Sequence, residues 1–222
     1  MIRKVQSSKF KVRSSKGFTL VEMLVVIAVL GVIGSLILAI FTSTLRGSNK
    51  SQIISIIKQN GQSVLETMDK TIRNSEGVVC VSSANDVIAV VQDNIYTRYK
   101  FVTSSSSAKS DCVTENGCIL QDNPVRPSSG SEADIDLFLD SLCVNPLDSP
   151  KILTDTNKKT GVSVRKTKDA SGSELPYISR SERSGFKDVV TIRFSLEEGK
   201  EAPPEVAGQI DPIPFQTSIE LR

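Results

Sequence analysis

Three patterns of apolar and polar positions follow one another along the chain, and each predicts a different element. From Met23 to Leu45 there is no charged residue for 23 positions, and the segment is apolar almost throughout. At about 1.5 Å of rise per residue, a helix of that length exceeds the roughly 30 Å hydrocarbon core of a bilayer. No proline occurs before Pro124, so nothing in the span forces a kink. Gly31 and Gly34 would loosen this helix or let another helix approach it closely. From Asn49 to Glu76 the pattern becomes amphipathic. Ile53, Ile57, Val64, Met68 and Ile72, with Ile54 and Leu65 beside them, fall on one helical arc of about 120°. Gly61 shares that arc, where a small residue lets a sheet pack close. Lys58, Gln62, Glu66, Asp69 and Arg73 fall opposite, and Glu66–Lys70 and Asp69–Arg73 have favourable i,i+4 spacing. The two patterns predict one helix of up to about 59 residues, with a weak point at Arg46-Gly47-Ser48 and a stop at Gly77.

The third pattern is alternation. Val78 to Val81 is a short strand candidate, and Val87 to Gln92 and Ile95 to Val102 flank Asp93-Asn94 as a two-residue hairpin turn. In the second of these strands Ile95, Thr97, Tyr99 and Phe101 are read as one face, with Tyr96, Arg98 and Lys100 as the other. Gly161 to Arg165 is a short strand. Val189 to Leu196 and Phe215 to Arg222 alternate well and read as antiparallel partners across the Pro-rich loop 197–214. Ser104 to Ser110 and Pro124 to Ser131 read as exposed loops. Ser131 to Leu142 reads as a short helix with Ser131 and Asp134 as its N-cap signature, or as a strand. The predicted architecture is α+β, with an antiparallel sheet laid on the second half of the long helix.

Charge changes the picture at the N-terminus. Residues 1–17 hold Arg3, Lys4, Lys9, Lys11, Arg13 and Lys16 and no acidic residue, so this block stays cytoplasmic by the positive-inside rule. A secretory signal has a shorter apolar core, followed by its cleavage site. A plain anchor explains the length and the basic flank, but not Glu22 or Gly17 at the charge-to-apolar border. Lys16-Gly17-Phe18-Thr19-Leu20-Val21-Glu22 resembles the leader junction of the type IV filament family, the type IV pilins and the pseudopilins of type II secretion. The resemblance covers Lys16 to about Leu30.

That resemblance implies a chemistry. A prepilin peptidase would cut between Gly17 and Phe18 and methylate the new Phe18 amine. The apolar segment would be retained as the N-terminal helix. Glu22 would pair with the terminal ammonium of a neighbouring subunit. The implied division is a cleaved leader over 1–17, a membrane and filament-core helix over 18–45, an amphipathic helix over 46–76 and an extracytoplasmic head over 77–222. The implied role is a structural subunit of a pilus or secretion pseudopilus, and the large head points to a minor or priming one. Its partners would be the peptidase, other pilin-like subunits, membrane lipid and the assembly machinery. The alternatives are a filament-tip module binding DNA or a surface, and a membrane-anchored protein that never polymerises.

Composition narrows the chemistry further. Removing the leader takes Lys plus Arg from 27 to 21 against 25 acidic residues, so net charge moves from +2 to −4. A mildly acidic body carries no global field for nucleic acid. The local basic feature is Arg165-Lys166-Lys168 with Arg180 and Arg183, interspersed with Asp169, Glu174 and Glu182. Histidine is absent, which removes the commonest general base and metal ligand. No nucleophile elbow, phosphate loop or dinucleotide fingerprint appears, so neither an enzyme nor a cofactor is expected. Asp148, Asp155 and Asn157 do not match a calcium-loop spacing. Cys80, Cys112, Cys118 and Cys143 all lie in the exported part, and their even number reads as two disulfides. Cys112 with Cys118 would close a short loop and leave Cys80 with Cys143. The rival readings are free reduced thiols and zinc held by four thiolates, the latter without a tight Cys-x-x-Cys pair to favour it.

Overall fold

The computed structural model describes residues 17–84, 86–106, 111–127, 131–182, 187–204 and 206–221. It contains two compact units that divide between Leu45 and Arg46. Helix α1, Leu20–Arg73, is 54 residues long and runs through Arg46-Gly47-Ser48 without interruption. In its apolar half the hydroxyls of Ser35, Thr42 and Thr44 donate to carbonyls three or four residues back. Those bonds satisfy polar groups where no water would be available. Asp69 and Arg73 form the expected pair, bidentate at 2.9 and 3.1 Å. Glu66 and Lys70 form no ion pair among the described residues. The helix stops at Arg73, before Gly77. The Ser75 hydroxyl donates to the Ile72 carbonyl at 2.7 Å and occupies one of the orphan acceptors. Gly77 lies instead in the first strand, opposite Val91.

The head holds two antiparallel sheets rather than the single one expected. In the first, β1 (Gly77–Val81), β2 (Val87–Gln92), β3 (Ile95–Val102), β4 (Cys118–Asp122) and β5 (Lys151–Ile152) lie side by side in chain order. Asp93 and Asn94 join β2 to β3 with φ of 49° and 62°, the left-handed pair that a two-residue hairpin turn requires. In the second sheet, β8 (Val189–Glu198) is the central strand. β9 (Ile213–Glu220) follows one of its edges, with Phe194 opposite Phe215. Its other edge is shared: β7 (Ile178–Ser181) pairs with its first half and β6 (Val162–Arg165) with its second.

The helical arc read from sequence is the buried one. Ile57, Val64, Met68 and Ile72 join a single cluster with Ile88, Val90, Tyr99, Phe101 and residues of β6 to β9. Each such side chain contributes about 1.5–3 kcal/mol by leaving water. Gly61 lies under the Phe215 ring, and a Cβ there would collide with it. Phe215 in turn stacks on Phe194 at 5.4 Å, and Phe101 on Tyr177 at 4.8 Å. The two sheets meet at Gly117. Its N–H donates to the Ser163 hydroxyl and its carbonyl accepts from the Val164 N–H, both at 3.1 Å. A Cβ at Gly117 would come within 2.9 Å of Val164, Val102 and Ser104 backbone atoms.

The face of β3 that carries Tyr96 and Arg98 is covered as well. Tyr96 packs edge-on against Phe138 of α2 (Glu132–Ser141) at 5.2 Å. Arg98 is 4% exposed. Its guanidinium meets Asp122 at 2.9 and 2.5 Å and donates to the carbonyls of Leu142, Asn145 and Pro146. This cation thus closes the carbonyl end of α2, where the helix dipole favours it. Removing one partner of such a buried pair costs about 3–5 kcal/mol. Ile95, on the same face as Tyr99 and Phe101, is 60% exposed at the hairpin end. Ser131 opens α2, its N–H donating to the Asp134 carboxylate at 2.8 Å. The chain beyond α2 is tied to β1 by the Cys80–Cys143 disulfide, and Cys112 is bonded to Cys118. Chain-entropy arguments give about 4 kcal/mol for the longer loop and about 2 for the shorter.

Candidate functional site: the N-terminal segment

Helix α1 starts where a polar side chain can satisfy its first N–H groups. Thr19 is that residue. Its hydroxyl accepts the Glu22 N–H at 3.2 Å and its carbonyl accepts the Met23 N–H at 3.2 Å. Thr19-x-x-Glu22 has the spacing of a capping box, a signal the sequence reading passed over because it weighed Glu22 for charge alone. The cap leaves Gly17 and Phe18 outside the helix, where both are exposed. The Gly17–Phe18 peptide bond therefore lies in exposed, non-helical backbone. A Cβ added to Gly17 would meet nothing within 4 Å. Packing among the described residues therefore gives no reason for glycine at this position. The basic residues of the leader lie outside the described residues.

Glu22 sits in the first turn of α1, at the positive end of the helix dipole. Its carboxylate has no ion pair among the described residues. Magnitudes decide what this means in a membrane. A charge at the centre of a membrane-spanning helix costs about 2.5–3.5 kcal/mol, whereas a helix N-terminus offsets about 0.3–1. Carried to that depth, Glu22 would be left with a deficit that a cation could remove. Around and beyond Glu22, no residue from Phe18 to Leu45 is buried; Phe18 is 75% exposed and Leu20 80%. A helix apolar on all sides, with the length and composition to cross a membrane, has not buried its surface in its own chain.

The other candidate groups do not assemble into a reactive centre. Asp155 and Asn157 cap a turn, their side-chain oxygens accepting N–H groups of Asn157, Lys159 and Thr160. Asp148 contributes its N–H to Asp122. Among the described residues there is no metal-ligating cluster. Of the basic residues, Arg165 pairs with Glu197, Lys166 with Glu174, and Arg180 with Glu182 and Asp188. Arg183 lies outside the described residues.

Residues 12–42 match the family model of the prokaryotic N-terminal methylation motif. No curated protein and no solved structure matches the chain. The motif is that of a structural protein rather than an enzyme, and it ends within the apolar half of α1. With its basic leader, its capped and exposed junction, its long apolar helix and its antiparallel β-sheets, the chain carries the prepilin-type signal of a type IV pilin- or pseudopilin-like protein.

Proposed function

We propose that the chain is a minor or priming subunit of a type IV pilus or secretion pseudopilus. It enters the cytoplasmic membrane with its leader inside and its head outside. Prepilin peptidase cuts between Gly17 and Phe18 and methylates the Phe18 amine. The assembly machinery then draws the subunit into a filament with other pilin-like subunits. Residues 1–17 are the discarded leader, 18–45 the filament-core helix, 46–76 the part docked on the head and 77–222 the displayed head. Helix–helix packing of Phe18 to Phe41 supplies the assembly free energy, and Glu22 sets register against a neighbour's Phe18 ammonium. Before cleavage that nitrogen is an uncharged amide, so the pair forms only after processing.

The observation that carries this reading is the uncovered apolar half of α1 directly behind the methylation motif. Replacing Glu22 tests it. Glu22→Val should be cut normally yet be strongly depleted from sheared filaments relative to the parent. Undiminished incorporation would remove the register role of Glu22.

A further inference from the structure

The displayed head has a charged cleft that its own packing leaves uncompensated. At the meeting of the two sheets, beyond the end of β3 and beside the ends of β6 and β8, lies an open cavity of about 400 Å³. Arg165, Lys166, Lys168 and Lys200 line it, together with the hydroxyl-bearing turn 103–105; Glu174 adds one negative charge. Arg165 is matched by Glu197 at 2.5 Å and Lys166 by Glu174 at 3.5 Å. Lys168 and Lys200 have no carboxylate within ion-pair distance among the described residues. A cleft lined by more cations than carboxylates raises the local concentration of anions.

The cations are carried on ordered backbone. Arg165 ends β6. Lys168 pairs with Glu174 across a tight hairpin. The hairpin tip is tied by Asp169, whose carboxylate accepts the Ser171 hydroxyl at 2.6 Å and the Ser173 N–H at 2.9 Å. The Lys200 N–H donates at 2.9 Å to the side chain of Asn116, which is fully buried. Positive groups on such supports form a preorganised anion site rather than a loose basic surface.

The lining also says which anion. Its volume is that of a small-molecule pocket, not of a track for a polymer. None of the lining residues is aromatic, so there is no platform for stacking bases. Glu174, Glu197 and Glu201 flank the cations and would repel a long run of phosphates. Thr103, Ser104 and Ser105 offer hydroxyls that donate to and accept from a polyhydroxylated ligand. We propose that this cleft binds a sugar residue bearing a phosphate or sulfate group. Lys168 and Lys200 hold the anion, and the turn 103–105 contacts the sugar hydroxyls. The proposal stands whether or not the subunit polymerises.

Calorimetric titration of the full chain in detergent tests it, with glucose 6-phosphate, glucose 6-sulfate, glucose, inorganic phosphate and a DNA duplex as probes. The two charged sugars should bind, and added salt should weaken them. Lys168→Ala combined with Lys200→Ala should weaken both by about tenfold or more, with the circular dichroism unchanged. Lys58→Ala, on the exposed side of α1, should leave binding as it was. The relative strength of the phosphate and sulfate arms assigns the anionic group. Glucose binding as well as its phosphate, inorganic phosphate matching the sugar phosphate, tighter binding of DNA through the same lysines, or no binding would each overturn the proposal.

Discussion

The two halves of α1 share a backbone and differ in what they have found to bury. Between Phe18 and Leu45 no side chain is buried, although most are apolar. Between Arg46 and Arg73 the chain is far more polar, yet Ile57, Gly61, Val64, Met68 and Ile72 are covered completely or almost so. Hydrophobicity alone therefore does not say which half belongs to the head. Its arrangement does: a stripe is matched by a sheet of the same chain, and a surface apolar on all sides needs lipid or sister helices. The glycines repeat the lesson. Gly61 is filled by Phe215, whereas Gly31, Gly34 and Gly47 have open space beside them.

Equivalent truncations in the two halves sharpen this contrast most. Met68→Ala should cost the head about 2–5 kcal/mol in urea unfolding. Leu30→Ala should move the same transition by less than about 0.5 kcal/mol. Equal effects would break the division. A methyl added at the two kinds of glycine gives the next largest difference. Gly61→Ala should destabilise by about 1–3 kcal/mol, because the Phe215 ring must move. Gly34→Ala should leave head stability unchanged, as read by thermal unfolding of the purified full chain, and should alter only assembly. Asp69→Ala is the smallest. It should cost no more than about 0.5 kcal/mol, and less in high salt, since the pair with Arg73 is exposed.

What could be read from sequence was whatever local chemistry decides. The Asp93-Asn94 turn dictates the β2–β3 hairpin because few other pairs tolerate two left-handed residues. The stripe on α1 was legible because helical period and burial coincide there. The Lys16-to-Glu22 junction was legible because it is a contiguous motif, independent of contacts distant in sequence. Long-range cover was not legible. Alternation separates the two faces of β3 but cannot reveal that α2 and the Leu142–Pro146 turn close over the one that carries Arg98. Short β4, β5 and β7 offer too few residues for a pattern and are held by neighbours distant in sequence. Gly77 read as a helix stop because glycine is common there, yet Ser75 performs that task two residues earlier. The close approach of the two sheets at Gly117 was not legible either, because its need for a missing Cβ appears only once Val164 and Val102 are beside it.

The proposed assembly role of Glu22 requires a cleavage that would turn the Phe18 nitrogen into its charged partner. Intact-mass analysis of the protein isolated from its native membrane tests this directly. A chain that begins at Phe18 and carries one added methyl group is the predicted result. A functional protein that still retains Met1 through Gly17 would contradict it.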